Sequence, residues 1–437
     1  MMRSSRSLLE EEGGGIGGQV VPTVALLAAG DRFEDFHDKI GVSFETFRTK
    51  LTGGWLFNYV EALQSAGVRT VLIFASARVD APLRFIHSPT GAAVWMLPSP
   101  RLHRKVRSAS ERWAPRLDVL ASLSSYLATP VRLLVRTLRS ESCDAILCHE
   151  YEYARFDVST LVGRILGLPV FATFQGADHT VSWLETPIRW LSLRRSSGLI
   201  IGASVEIRRV RRVYHVPSDK IANIPNPIDV AGWLSQDRSR VRKELSIPQD
   251  ARVVEWHGHV QIRRKGLDVL LDAWELVCAD RPDALLILVG TGRNTAELWE
   301  RVTSNPRITW IDRYVLDREE LWRYLAAADV YTLPSRHEGF AVAPLEAMAT
   351  GLPIVAADAP GIADLLSGGE EAGGLIVPRE DPSALAAALL RLLDDDALAR
   401  ELGARGRRRA EQEYSLEIVG RRLRRVLFPG QASSDGA

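Results

Sequence analysis

Short apolar runs bounded by glycine, proline and polar residues recur along most of the chain, and segments with helical apolar spacing lie between them. In the first half, Val24 to Ala28, Val68 to Phe74, Ala145 to Cys148, Val170 to Phe174, Gly198 to Gly202 and Ile221 to Ile224 read as buried strands. Gly53-Gly54 opens an amphipathic helix carrying Leu56, Val60 and Leu63, which Gly67 stops; a second helix, Thr160 to Leu166, ends at Gly167. A second series of strands follows: Val253 to Trp256, Leu285 to Val289, Ile308 to Ile311, Val330 to Leu333, Ile354 to Ala357 and Leu375 to Val377. Helices Gly266 to Ala279 and Ser383 to Leu393 are spaced among them. Strands that alternate with helices imply parallel sheets covered on both faces. The pattern predicts an α/β chain with two doubly wound, Rossmann-like domains.

The Gly- and charge-rich start, residues 1–21, reads as a disordered tail. An N-terminal domain over 22–230 follows, then a polar linker over 231–250 and a second domain over 251–412. The remaining segments are a helix over 413–428 and a flexible tail over 429–437. Open α/β sheets bind ligands beyond the carboxyl ends of their strands, so two such domains place a site in the cleft between them.

Composition narrows the function little. The 437 residues are 46% hydrophobic and 25% charged, ordinary for a globular chain, and size suits two domains. A formal net charge of +1 provides no global pull towards nucleic acid or lipid. Cys143, Cys148 and Cys278 form no CxxC pair, so neither a disulfide framework nor a zinc site is expected, and a reducing cytoplasm fits. The start has no apolar stretch of signal-peptide length, and no run is long enough to cross a membrane. No P-loop, nucleophile triad or G-x-G-x-x-G is present, and Gly290-Thr-Gly292 is too short to argue for a dinucleotide.

The most informative stretch runs from Pro334 to Pro353. A loop with Glu338 and Gly339 leaves the strand ending at Leu333, and a helix starts near Ala343 with Pro344 suited to its first turn. Free amides at a helix start favour an anion such as a diphosphate. A carboxylate on each side, Glu338 and Glu346, suits the hydroxyls of a sugar and a ribose. Spacing alone equally allows Glu338 to cap the loop and Glu346 to be a solvated helix residue.

This segment resembles the E-x7-E signature of retaining GT-B glycosyltransferases, especially glycosyltransferase family 4. Gly258 to Gly266, Val289 to Gly292, Ala356 to Gly361, Gly373 to Pro378 and the tail Tyr414-Ser-Leu-Glu-Ile-Val-Gly-Arg are similar to that family in the same order. The likeness covers nearly all of the second domain and, more loosely, the first. It implies a GT-B fold and transfer of a sugar from a nucleotide-diphosphate sugar to a hydroxyl acceptor with retention. No metal or other cofactor is implied. Glu338 would contact the donor sugar, Glu346 the ribose, and the backbone of Gly339, Phe340 and Ala341 the phosphates.

Cleavage of a sugar–phosphate bond leaves extra negative charge on a diphosphate, which fixed cations stabilise in place of a metal. Lys265 matches the family lysine in that role. Where the family has an arginine this chain has His259, so either a protonated His259 or Arg264, with Arg263 a weaker choice, supplies the second cation. In the first domain, Gly53 and Gly54 resemble the family's glycine loop, and His149 stands where a family histidine faces the donor sugar. Glu150, Glu152, Gln175 and Asp178 are expected on the acceptor side. Pro225-Asn-Pro-Ile-Asp229 is similar to the family's P-N-G-[VI]-D turn, with Pro227 where glycine is usual.

Arginines at 101, 104, 107, 112, 116, 132, 136 and 139, with Lys105 and interleaved Trp113, Leu117 and Leu133, form a basic stretch. Trp183, Arg189, Trp190, Arg194 and Arg195 form another. Both could attract anionic lipid, and both could equally be solvated helix faces. The expected partners are a nucleotide sugar and a glycan or lipid-linked acceptor, with peripheral contact to an anionic membrane and none to nucleic acid. The expected location is the cytoplasm, including its membrane face. Two competing readings are a degenerate, non-catalytic scaffold, favoured only by His259, and another GT-B enzyme such as an epimerase.

Overall fold

The computed structural model describes residues 21–113, 118–176, 182–183, 185–233, 237–292 and 295–431. Residues 1–20 and 432–437, with Arg116, Leu117, Asp178 and Ser235, lie outside them, as do the side chains of Arg112 and Trp113.

The first sheet comprises β1 (Thr23–Leu27), β2 (Arg69–Ser76), β3 (Leu83–Ile86), β4 (Ala93–Pro98), β5 (Ala145–Cys148), β6 (Val170–Thr173), β7 (Gly198–Ile200) and β8 (Ile221–Ala222). Its order is β3-β4-β2-β1-β5-β6-β7-β8, parallel except for the β3–β4 pair. The second sheet comprises β9 (Arg252–His257), β10 (Ala284–Val289), β11 (Ile308–Ile311), β12 (Val330–Leu333), β13 (Ile354–Ala357) and β14 (Gly374–Val377). Its order is β11-β10-β9-β12-β13-β14, parallel throughout. This is the α/β architecture of two doubly wound domains. Continuous apolar runs serve as strands here because helices cover both faces, and β1, β5, β12 and β13 are buried along their whole length.

The β3–β4 hairpin carries no alternating signal that would announce it, because β4 is buried and β3 lies exposed at the sheet edge. Of the stretch read as a linker, 231–250, the described residues 231–233 and 237–250 are instead folded onto the second domain. Trp233 and Val241 join its core, and Asp237 caps helix Arg238–Glu244. Buried Arg242 donates to the carbonyls of Ala327, Gln249 and Ala251 and to Asp329. Arg242 is the one charged residue of the stretch's described part that is buried, and the other charges stay at the surface, so a polar composition did not distinguish a surface helix from a linker.

The last long helix, Leu416–Leu427, packs against helix Gly54–Ser65 of the first domain. A side chain at Gly420 would collide with the Ala62 carbonyl oxygen, and Arg424 donates to the Ala66 carbonyl. The chain thus crosses between domains twice, which ties their relative placement to this helix.

In each sheet the order of the parallel strands has one central switch point. In the first it lies between β1 and β5, and in the second between β9 and β12. At such a switch point the loops leaving adjacent strands diverge and open a crevice. The crevices are flanked by the residues after Cys148 and by those after His257 and Leu333.

Candidate active site

At the second switch point, the loop after β12 returns Glu338 beneath helix Ala343–Thr350. The Glu338 carboxylate is buried and accepts from Lys265 Nζ at 2.7 Å and Ser335 Oγ at 2.6 Å. Burial alone would push its pKa up, but the Lys265 charge, that ion pair and the Ser335 hydroxyl outweigh burial and hold it below the usual carboxylate range. Lys265 is placed by the short helix Ile262–Lys265, which Gly266 ends in a left-handed turn against the Pro334 carbonyl. The amides of Phe340, Ala341 and Val342 donate no backbone hydrogen bond to another described residue. Pro344 sits in the first turn of the helix they introduce. A cation, a carboxylate and free amides therefore converge at one loop.

Glu346, in that first turn, meets a residue the sequence reading missed. His257 Nε2 lies 2.9 Å from Glu346 Oε2, and its Nδ1 lies 3.1 and 3.2 Å from the two oxygens of Glu255. Burial would depress the imidazole, but the flanking carboxylates outweigh it and raise its pKa to about 10. Burial pushes the Glu255 carboxyl up. The signal was legible in Glu255-Trp-His257: polar residues at alternate positions of a buried strand point to one face and need partners there.

On the facing wall, His149 follows β5. Its ring is buried between Trp55 and Tyr59, with ring centroids 4.9 and 4.7 Å away, and neither ring nitrogen has a hydrogen-bond partner among the described residues. Burial lowers its pKa to about 3, so the imidazole is neutral. Tyr59 reaches the Gln175 side chain, which also exchanges hydrogen bonds with Asn226. Glu150, at φ 88°, accepts from the Gln175 amide at 2.9 Å, storing backbone strain beside the crevice. Glu152 is turned away into a buried network with Arg209, Glu206 and Tyr151. Burial and then the neighbouring Glu150 raise it to about 7.

The two walls touch where two backbones meet. A methyl carbon on Gly339 would lie 2.6 Å from the Gln175 carbonyl carbon and the Gly176 nitrogen, and Gly176 has φ +84°. Asn226 Nδ2 donates to the Phe340 carbonyl at 2.8 Å, and Arg264 Nη2 to the Gly176 carbonyl at 2.7 Å. Arg264 thus bridges the domains. Arg263 is exposed. His259 is half-buried, packed where a side chain on Gly292 would sit 2.9 Å from its Cε1. Gly53 and Gly54, both at positive φ, open helix Gly54–Ser65, and Gly53 lies beside Arg318, which pairs with Asp229 and Glu61. The structure therefore joins Lys265 with Glu338, Arg264 with Gly176, which abuts Gly339, and Glu346 with His257. His149 is linked to them through Tyr59 and Gln175, and Gly53 and Gly54 border the interdomain contact further along.

Substitution of Gly339 by alanine is expected to push these loops apart. A displacement on the order of 1 Å costs about 10²-fold in rate where geometry is catalytic. Turnover of Gly339→Ala should fall by roughly that factor while its unfolding midpoint stays near wild type, as kinetics and thermal melts would show.

Two facing Rossmann-like domains with a cation–carboxylate pair at the switch point define a GT-B glycosyltransferase architecture. The chain belongs to the group 1 glycosyl transferases. Residues 251–395 match the family model for glycosyl transferases group 1. The chain is 31% identical over 268 residues to a GDP-mannose-dependent monoacylated alpha-(1-6)-phosphatidylinositol monomannoside mannosyltransferase of Corynebacterium glutamicum, covering 57% of this chain and 68% of that one. It is 32% identical to the lipopolysaccharide core biosynthesis mannosyltransferase LpsB of Rhizobium meliloti (44% of this chain, 55% of that one). Identity is 30% to a D-inositol 3-phosphate glycosyltransferase of a Nocardioides species, with 47% and 48% covered. The chain thus spans about half the length of the latter two. Sucrose-phosphate synthase from Thermosynechococcus elongatus superimposes with a TM-score of 0.68 at 21% identity, covering 92% of this chain and 97% of that one. Anabaena HepE in complex with UDP superimposes with a TM-score of 0.67 at 16% identity, over 93% and 99%.

Proposed function

We propose that the protein transfers a glycosyl group from a nucleotide-diphosphate sugar to a hydroxyl of a glycan or lipid-linked acceptor, with retention and without a metal. The Lys265–Glu338 pair beneath free helix-start amides carries this reading. The amides of Phe340 and Ala341, with Gly339 letting the backbone approach, face the diphosphate. Glu338 takes a hydroxyl of the donor sugar and Glu346 the ribose. Lys265 meets the charge that grows on the leaving phosphate as the bond from the anomeric carbon to its oxygen breaks. The acceptor oxygen bonds to that carbon from the same face, and its proton passes to the departing phosphate oxygen. Arg264, already at the domain contact, is the better second cation, since His259 packs against the Gly292 loop. Neutral His149 offers a ring nitrogen to the sugar, and Gly53 and Gly54 line the acceptor side.

Calorimetric titration with UDP-, GDP-, ADP- and TDP-sugars, with and without chelator, tests this. One donor should bind, unaffected by chelator and more weakly to Lys265→Ala. Binding to none of them would reject the transferase reading and favour a scaffold.

The acceptor reading extends to an anionic membrane. The succession β5 to β8, with right-handed crossovers, sets helices Ala154–Leu166, Glu185–Arg195 and Ser204–Tyr214 on one face of the first sheet. Their carboxylates, Asp157, Glu185 and Glu206, are buried, so the outward charges (Arg164, Arg194, Arg195, Arg208, Arg211, Arg212) are all positive. Leu161, Ile165, Ile188, Trp190 and Leu191 are exposed among them. No described helix is long and apolar enough to cross a membrane. Flotation with phosphatidylglycerol vesicles should carry the protein up, and Arg194→Glu/Arg195→Glu should weaken it; absence of binding would remove the membrane from the reading.

A further inference from the structure

The buried trio of Glu255, His257 and Glu346 is larger than a donor-site carboxylate needs for itself. Glu255 is fully buried on β9, two residues from His257 and on the same face of the strand. It takes the Nδ1 side of the imidazole through both of its oxygens, so the ring is clamped edge-on. The opposite edge, Nε2, then takes Glu346 Oε2 from below. Glu346 Oε1 has no hydrogen-bond partner among the described residues, and the side chain retains 12% of its exposure. One oxygen is tethered to the sheet, and the other is left for a ligand.

Such a trio is costly. Apolar residues of similar volume would serve stability as well or better, since charges taken from water recover little beyond their desolvation. A carboxylate in the first turn of a helix would otherwise sample several rotamers. Recognition of two neighbouring hydroxyls demands a fixed one, held by its own supporting hydrogen bonds. The trio supplies that support.

We propose that His257, clamped by Glu255, is a positioning residue that fixes Glu346 for the vicinal diol of the donor's ribose and so makes the site select ribonucleotides over deoxyribonucleotides. This rests on the reading of the site as a nucleotide-sugar site with Glu346 at the ribose.

The test uses the full-length protein and two sets of probes, UDP, GDP and ADP and their 2′,3′-dideoxy analogues, titrated calorimetrically. Wild type should bind one ribonucleotide well above its dideoxy analogue. In His257→Leu that preference should fall about tenfold, with affinity for the dideoxy analogue unchanged, while His257→Gln, which still donates to Glu346, should keep most of it. If the leucine variant does not fold, Glu255→Leu/His257→Leu removes the buried charge with its partner and should show the same fall. An equal loss for both analogues, or a preference kept at the wild-type ratio in the folded leucine variant, would overturn the positioning role. Wild type binding both analogues equally would overturn the ribose assignment and this inference with it. Wild type binding no diphosphate at all would refute the nucleotide-sugar reading itself.

Discussion

Lys265→Ala should lower kcat by about 10²–10³, the loss seen when one fixed group that stabilises transition-state charge is removed. The lysine ammonium sits 2.7 Å from Glu338, on the loop that leads into the helix-start amides. In the resting site that charge is partly spent on Glu338. As the sugar–phosphate bond breaks, negative charge develops beside it, and the attraction grows in the transition state more than in the ground state. The effect should therefore fall on kcat more than on the dissociation constant of the donor. Steady-state kinetics with the donor found by calorimetry, set beside direct binding to the same variant, separate the two. A change confined to donor affinity would assign Lys265 to binding alone. Glu338→Gln provides the complement: it keeps the shape and the Ser335 contact, frees the ammonium and tests whether the carboxylate is needed for the sugar.

His257→Leu should destabilise the fold by about 3–5 kcal/mol at neutral pH, because it leaves Glu255 and Glu346 buried without their shared cation. The pH dependence gives the prediction its sign. The folded pKa of His257 is about 10, above the ordinary histidine value of 6.5. The stabilisation is thus complete below about pH 6.5 and is lost as pH rises through 10. Urea unfolding of wild type and His257→Leu at pH 7 and pH 10 should show the gap between them closing on the alkaline side. A gap that is constant with pH would mean the imidazole is neutral in the fold, held by hydrogen bonds without charge.

Much of the fold was legible because its strands are short, apolar and punctuated by glycine. Ala145–Cys148, Ile308–Ile311, Val330–Leu333 and Ile354–Ala357 have the boundaries expected from their composition. The site loop was legible too, since an apolar strand, a loop glutamate, a proline-initiated helix and a closing glycine are all local signals. Glu338 and Lys265 stood out by motif, although 73 positions separate them and nothing local says they touch.

Local pattern determined the two alternating series, the turns that end their helices and the loops able to carry chemistry, because burial on both faces and backbone conformation leave their mark within a few residues. Long-range pairing decided the rest. It made 237–250 part of a domain by giving Arg242 buried carbonyls, and it set His257 between carboxylates from two elements. It also brought Gly176 against Gly339 and turned Glu152 from the crevice to Arg209. A charge or a glycine has the same appearance in sequence whether it meets water or a partner from a distant strand. Only the folded chain settles which, since the desolvation cost and the contact that offsets it exist only there.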